Sequence, residues 1–264
     1  MHVNAKKSLG QNFLVNPHIL DKIISAAEVT KNDTILEIGP GTGNLTKKLA
    51  EKADRVIAVE KDHRLIKTLE ETFRTSSNVE IVEGDILKLE IEKLFENCKL
   101  KTENCHFKVV ANIPYYITSR FLRILLEEWP KPELVVLTVQ KEVAMRIIAK
   151  PPHMNLLALS VQFYAKPEVI GNISKNNFRP IPKIDSAIIR LQPKSIIRDP
   201  QLFNLIRAGF SEKRKQLAGT LPKKLKVTKE KILEAVKKTQ INEKIRAENL
   251  SLVQWIELKK HLDI

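Results

Sequence analysis

Short apolar runs alternate with amphipathic stretches along most of the chain. Five runs have the composition of buried parallel strands: residues 34–38, 55–60, 79–83, 107–111 and 133–139. Five stretches have apolar positions at helical spacing: residues 16–27, 44–50, 64–73, 119–126 and 141–148. Two later runs, 159–165 and 184–191, predict further strands. The alternation predicts an α/β fold built on a mostly parallel, doubly wound sheet.

The pattern changes after the Gln192-Pro193 pair. From there onward the apolar positions recur only at helical spacing, and Ser251 with Gln254 forms a capping-box pattern at a helix start. We therefore predict two domains, an α/β domain over residues 1–193 and a small all-helical domain over residues 194–264.

Three glycines spaced two apart follow the first strand, in Gly39-Pro40-Gly41-Thr42-Gly43. Glycine accepts positive φ and lets a ligand approach the backbone, so this segment predicts a strand, a tight turn and a helix with a ligand seat between them. A dinucleotide fingerprint would place glycine at Asn44 or Thr46, which makes nicotinamide binding a minor alternative. Taken alone, the turn could equally be a tight corner between packed elements, without a ligand.

Two acidic residues stand at or just after the ends of the next two strands, Glu60 and Asp85. The carboxyl ends of parallel strands meet at one edge of a sheet, where α/β nucleotide folds place an acid that accepts hydrogen bonds from ribose hydroxyls. A solvated carboxylate is the commoner role for either residue alone. Two such acids beside the glycine turn favour a nucleotide-like ligand.

Length and composition restrict the protein class. With 264 residues and 43% hydrophobic content the chain can bury a sizeable core, and it lacks an apolar run long enough for a membrane span. The basic start lacks the apolar core of a signal peptide, so we expect a soluble cytoplasmic protein. Cys98 and Cys105 lack metal-ligand spacing, which favours free thiols and no metal.

The charge is strongly positive, with a formal net charge of +14. Residues 195–264 hold 16 lysines and arginines against 8 acidic residues, including the cluster Lys213-Arg214-Lys215. A large positive charge indicates a polyanionic partner, although a merely solubilising surface is the alternative. We expect the helical domain to bind nucleic acid.

The segment Asn112-Ile113-Pro114-Tyr115 follows the fourth strand and has no acid, base or nucleophile of ordinary kind. It suits a planar aromatic amine such as that of adenine, whose lone pair is delocalised into the ring. The Asn112 side-chain oxygen and the Ile113 carbonyl would accept its two N–H hydrogens, while Tyr115 and Phe178 would cover the two faces of the base. The alternative is that both rings are core aromatics and Asn112 is a turn residue.

Four segments together resemble the ribosomal RNA adenine dimethyltransferases. They are Leu-Gly-Gln-Asn-Phe-Leu at 9–14, Glu-Ile-Gly-Pro-Gly-Thr-Gly at 37–43, Asn-Ile-Pro-Tyr at 112–115 and Phe-Arg-Pro-Ile-Pro-Lys-Ile-Asp-Ser-Ala at 178–187. They occur in order across two thirds of the chain. The resemblance implies a Rossmann-like sheet that binds S-adenosylmethionine, a C-terminal helical domain, and dimethylation of two neighbouring adenosines near the 3′ end of small-subunit (16S) RNA.

The resemblance also implies roles at matching positions. Residues expected to contact the cofactor are Asn12, Leu14, Gly39, Gly41, Glu60, Asp85, Ile86 and Asn112. Among these, Asn12 and Leu14 would close over the cofactor, Glu60 would bind the ribose, and Asp85 and Ile86 would contact the adenine. Residues expected to act on the target base are Asn112, Tyr115 and Phe178.

Relatives that methylate large-subunit (23S) RNA and confer macrolide resistance share the Asn-Ile-Pro-Tyr segment. Three other segments resemble the small-subunit branch: residues 9–14, the Asp185-Ser186-Ala187 form of the late segment, and Arg-Ala-Glu-Asn-Leu-Ser at 246–251. This resemblance implies a monomeric enzyme whose partner is a pre-30S particle. Residues 151–158 depart from the usual family pattern, which has a Tyr-Gly pair before Leu-Ser-Val where this chain has Leu156-Leu157-Ala158. A non-catalytic assembly or transcription factor with this fold is the alternative from the binding class.

Overall fold

The computed structural model describes residues 5–6, 9–97, 106–212 and 214–263. Cys98, Cys105 and Lys213, which carry predictions made above, lie outside the described residues. Within the described ranges no helix is long and apolar enough to cross a membrane.

Seven strands of the described residues form one sheet. Their bounds are β2 Thr34–Ile38, β3 Arg55–Glu60, β4 Val79–Glu83, β5 Phe107–Asn112, β6 Leu134–Gln140, β7 Ala165–Ile173 and β9 Ser186–Pro193. Their order across the sheet is β4-β3-β2-β5-β6-β9-β7. Strands β2 to β6 pair with one another in parallel, while β9 runs antiparallel to both β6 and β7. The predicted mostly parallel sheet is confirmed, the strand predicted at 184–191 is β9, and β7 lies beyond β9 at the edge of the sheet. A separate ribbon pairs β1 Phe13–Leu14 with β8 Phe178–Arg179.

Helices connect the strands, as crossover connections between parallel strands require. Their bounds are α1 Pro17–Ala26, α2 Asn44–Lys52, α3 His63–Phe73, α4 Ile91–Asn97, α5 Thr118–Glu127, α6 Lys141–Ile147 and α7 Leu156–Tyr164. The predicted start of α1 is confirmed, since Asn16 Oδ1 accepts a hydrogen bond from His18 N at 2.9 Å and Pro17 occupies the first turn. Apolar residues of α1 and α2 pack in one core with inward residues of β2, β3 and β5.

The strand predicted at 159–165 is wrong. Residues 156–164 form helix α7, which begins with Asn155 Oδ1 accepting a hydrogen bond from Ala158 N at 3.0 Å, and the strand β7 starts only at Ala165. Five of the nine α7 residues are buried, so its apolar run has no polar face to reveal a helical period. β7 contains Pro167 and Gly171, which are unusual in strands and are tolerated at this sheet edge beside a bulge.

The described residues divide into two compact units. One comprises residues 1–144 and 165–193 and contains the whole sheet. The other comprises residues 145–164 and 194–264 and contains α8 Pro200–Phe210, α9 Leu217–Leu225, α10 Lys229–Lys238 and α11 Leu252–Leu262. In α11 the predicted capping box is present, since Ser251 N donates to Gln254 Oε1 and Gln254 N donates to Ser251 Oγ. The domain boundary at 193/194 stays a prediction.

Candidate active site

The glycine turn lies at the carboxyl end of β2, where the chain passes into α2. Gly41 has a φ of 60°, and a Cβ atom built on it would lie 2.7 Å from Cδ1 of Phe13. Any side chain at this position would therefore be strained and would collide with that ring. The segment Leu9–Leu14, which we call the N-terminal arm, consequently lies directly against the turn.

A cavity of about 740 Å³, counting the space at its mouth, opens at this edge of the sheet. Its walls come from the N-terminal arm, the glycine turn, the ends of β3 and β4, and the segment after β5. The predicted site residues that line it are Asn12, Gly39, Gly41, Glu60, Asp85, Ile86, Asn112 and Tyr115. The structure thus brings eight of the ten predicted residues to one cavity.

Glu60 ends β3 with its side chain buried. Its carboxyl accepts hydrogen bonds from three backbone N–H groups, those of Gly41 at 3.1 Å, Lys61 at 2.9 Å and Asp62 at 2.8 Å. Burial raises the pKa of Glu60 above its ordinary value, and these three N–H groups oppose the rise. Two carboxylate oxygens offer about four acceptor sites, so capacity remains for a ligand hydroxyl.

Asp85 follows β4 and faces the same cavity. Lys61 Nζ donates to its Oδ2 at 2.9 Å, and Leu87 N donates to its Oδ1 at 3.1 Å. Burial opposes ionisation, but the Lys61 ammonium and the Leu87 N–H overcome this and lower the pKa of Asp85. Asp85 is therefore an ionised acceptor beside the buried side chain of Ile86.

Glu37, on β2, is a buried acid that was quoted in the glycine segment without a role. It is 1% exposed, and among the described residues its Oε2 atom finds no hydrogen-bond partner. Burial raises the pKa of Glu37 to about 8, with Thr46 opposing the rise and Glu60 adding to it. The Thr46 hydroxyl lowers the pKa of Glu37 although it forms no hydrogen bond of normal geometry with the described residues. The side chain lines a smaller cavity that shares Phe13, Gly39 and Asn112 with the main one.

Asn112 ends β5 and is fixed by the N-terminal arm. Its Nδ2 atom donates to the carbonyl oxygen of Asn12 at 3.0 Å, and the Asn12 amide in turn donates to Gly10 O at 3.0 Å. Since the Asn112 amide nitrogen is engaged, its Oδ1 atom is the part of the side chain that can accept a hydrogen bond from a ligand.

Tyr115 begins a short 3₁₀ helix, Tyr115–Ile117, two residues beyond Ile113. Its hydroxyl lies 2.6 Å from Ser186 Oγ on β9, and burial raises its pKa although the Ser186 hydrogen bond opposes this. The phenol is therefore neutral at physiological pH. The contact fixes the ring at the cavity wall.

Two predicted residues lie elsewhere. Phe178 is fully buried in the core that contains α1 and α2, and it does not belong to the described lining of either cavity. Leu14, its partner in the β1–β8 ribbon, is also buried in this core and lines only the smaller cavity. In this conformation the Phe178 ring is packed as a core aromatic, which was the alternative interpretation of the sequence.

Gln11, Lys61 and Tyr116 are among the cavity residues that had no role in the sequence interpretation. Gln11 Nε2 donates to Asp62 Oδ2 at 2.8 Å and so ties the N-terminal arm to the loop after β3. The signals in the sequence were an amide within the arm and a cation next to Glu60, but only the fold shows their partners.

The basic cluster lies in the helical unit. Of its described members, Lys215 forms an ion pair with Glu212, and Arg214 is exposed. One acid thus neutralises one cation of the cluster. Its contact with nucleic acid stays a prediction.

Comparison with known proteins indicates the same family as the sequence segments that line the cavity. The sequence profile described as ribosomal RNA adenine dimethylase matches residues 2–263. A protein of Dehalococcoides mccartyi (strain ATCC BAA-2266 / KCTC 15142 / 195), named ribosomal RNA small subunit methyltransferase A, is 41% identical over 96% of this chain and 87% of its own length. A protein of the same name from Lachnoclostridium phytofermentans is 41% identical over 98% and 91% of the two lengths.

Solved structures agree with these relatives. A dimethyladenosine transferase from Plasmodium falciparum superposes with a TM-score of 0.80 at 30% identity, covering 95% of this chain and 97% of its own. The 23S rRNA methyltransferase ErmE superposes with a TM-score of 0.76 at 26% identity, covering 96% of this chain and all of its own. Since the matched profile spans nearly all residues and the relatives exceed 40% identity, the chain belongs to the ribosomal RNA adenine dimethylase family.

Proposed function

We propose that this protein dimethylates the exocyclic amino groups of two adjacent adenosines near the 3′ end of small-subunit ribosomal RNA, using S-adenosylmethionine. The observation that carries the proposal is the position of Asn112. Its Oδ1 atom is an oriented acceptor in the wall of a cavity that also holds the glycine turn, Glu60 and Asp85.

The cavity residues fit this cofactor. Glu60 keeps acceptor capacity for ribose hydroxyls, and Asp85 with Ile86 offers an ionised acceptor beside an apolar side chain for an adenine. Gly39 and Gly41 have positive φ and permit close approach of the backbone to a ligand. When bound, S-adenosylmethionine would supply a methyl group on a sulfonium sulfur, which leaves readily as a neutral thioether when the C–S bond breaks.

Positioning of the target amine is the task left to the protein. We assign to Asn112 Oδ1 and the Ile113 carbonyl the acceptance of the two N–H hydrogens, which withdraws the nitrogen lone pair from the ring and directs it toward the electrophile. Tyr115, held by Ser186, stacks on the base. Phe178 would have to leave the core to stack on the opposite face, so we assign base contact to Tyr115 alone.

The preference for small-subunit RNA rests on sequence relatives. Both relatives at 41% identity are named as small-subunit enzymes. The solved structures alone do not separate the branches, because a 23S rRNA methyltransferase superposes nearly as well. The basic helical unit supplies the surface for RNA. Action on a pre-30S particle and a monomeric state are the further parts of this proposal.

The test is methyl transfer to ribosomal subunits that lack these modifications. Purified protein, labelled S-adenosylmethionine and either small or large subunits are incubated, and the modified nucleotides are located by mass spectrometry. We expect dimethyladenosine at two adjacent positions of the small-subunit RNA only, and none with Asn112→Ala. Label in large-subunit RNA would favour the macrolide-resistance type, and tight binding without transfer would favour an assembly factor.

A further inference from the structure

Tyr115 and Tyr116 are consecutive but have different surroundings. A 3₁₀ helix has three residues per turn, so the side chains of neighbours diverge by about a third of a turn. Tyr115 is directed to Ser186 and is half-buried, whereas Tyr116 is 59% exposed while still lining the cavity. Tyr116 thus presents an open aromatic surface at the cavity mouth.

The ring of Tyr116 is supported from the N-terminal arm. Gly10 has a φ of 61°, and a Cβ atom built there would lie 3.3 Å from Tyr116 Cδ1 and 3.6 Å from Cε1. The arm backbone therefore runs close beside the ring, and glycine is what permits this approach. A supported ring loses little entropy when it stacks on a ligand.

A cation accompanies this ring. Lys61 and Tyr116 line the same cavity, and Lys61 Nζ donates a hydrogen bond to Asp85 Oδ2 at 2.9 Å. The Lys61 side chain is 49% exposed. An exposed ring beside an ammonium group is the combination that binds single-stranded nucleic acid, through base stacking and phosphate attraction.

We infer that Tyr116 is the stacking platform for the nucleotide adjoining the target adenosine. This inference rests on the proposed function, in which the target base enters beside Tyr115 and its neighbour in the RNA stays outside. The exposed ring suits that outer base, whereas a cofactor adenine is better matched by the buried Ile86. Because the two substrate adenosines are adjacent, each one is the neighbour of the other and presents a purine for stacking.

The experiment combines one protein change with one RNA change. Small subunits are reconstituted with RNA in which one adenosine of the pair is replaced by an abasic nucleotide, first the 5′ and then the 3′ one, and methylation of the remaining adenosine is measured. Wild-type protein and Tyr116→Ala are compared on abasic RNA and on RNA carrying unmodified adenosines at both positions. We expect the abasic change at one of the two positions to lower wild-type kcat/KM about 5- to 150-fold, the range for one stacked base.

Tyr116→Ala should cause a similar loss on unmodified RNA and no further loss on the abasic RNA. Tyr116→Phe should retain kcat/KM, while Glu71→Ala, which removes an exposed side chain of α3 in the sheet unit and away from the cavity lining, serves as control. The inference would be refuted if, at both RNA positions, the abasic change and Tyr116→Ala lowered kcat/KM independently, so that their two losses multiplied. It would also be refuted if Tyr116→Ala bound S-adenosylhomocysteine more weakly than the wild type. If wild-type protein transfers no methyl group to unmodified subunits, the proposed function itself has failed.

Discussion

The buried carboxyl of Glu37 should make the sheet unit less stable as the pH rises from 5 to 8. Its pKa in the folded protein is about 8, against an ordinary value of 4.5. Between these values the folded state keeps a proton that the unfolded chain has lost, so the free energy of unfolding falls with pH. At about 1.4 kcal/mol per pH unit, Glu37 accounts for a fall of about 3 kcal/mol between pH 5 and pH 8.

Glu37→Gln keeps the shape and removes the titration, so its stability should vary much less over this range. Glu60, whose pKa is also raised, leaves part of the slope in place. Urea unfolding would be measured at several pH values, with pulsed hydrogen exchange of peptides from β2 and β3 reporting on this unit. The exposed Glu51→Gln variant is the control and should follow the wild type. If Glu37→Gln and wild type lose the same stability from pH 5 to 8, Glu37 is not protonated in the folded protein.

Three further changes probe the site and the RNA surface. Asn112→Ala should fold and bind RNA but lose turnover at saturating cofactor, and near-native turnover would exclude its acceptor role. Gln11→Ala should release S-adenosylhomocysteine at least 10-fold faster in stopped-flow displacement, because a hydrogen bond to the charged Asp62 contributes about 1.5–3 kcal/mol; an unchanged rate would show that the N-terminal arm does not retain the ligand. Replacing residues 213–215 by alanine should reduce the slope of log affinity for small subunits against log salt by about 0.7–0.9 per lost phosphate contact, with cofactor affinity unchanged.

Much of the fold could be predicted because central parallel strands are buried on both faces. β2 is buried at all five positions and β3 at five of six, so each stands out as an apolar run. The same reasoning failed at α7, where a buried helix also reads as an apolar run. The nine residues of α7 are close to the length of a strand, and the flanking signal for the helix is the Asn155 cap at its start.

The site could be predicted to the level of which residues meet, because strand ends of a parallel sheet share one edge. The direction of each side chain could not. Phe178 and Tyr116 are both aromatic residues next to recognisable segments, yet one is fully buried and the other 59% exposed. Their exposure depends on what packs against them, namely the α1 and α2 core for Phe178 and the backbone at Gly10 for Tyr116.

The hydrogen bonds already present in the cavity limit the kind of chemistry it supports. In the described lining, both carboxyl groups are engaged by the protein, Glu60 by three N–H groups and Asp85 by Lys61 and Leu87. A general base must direct an acceptor atom at the proton that it removes, and both carboxyl groups already accept hydrogen bonds from the protein. Asn112 Oδ1 is oriented by its own amide bond to the N-terminal arm, but an amide oxygen does not take up a proton near neutral pH. Under the proposed function, the site would therefore orient the substrate amine, and the amine would lose its proton after the methyl group has been transferred.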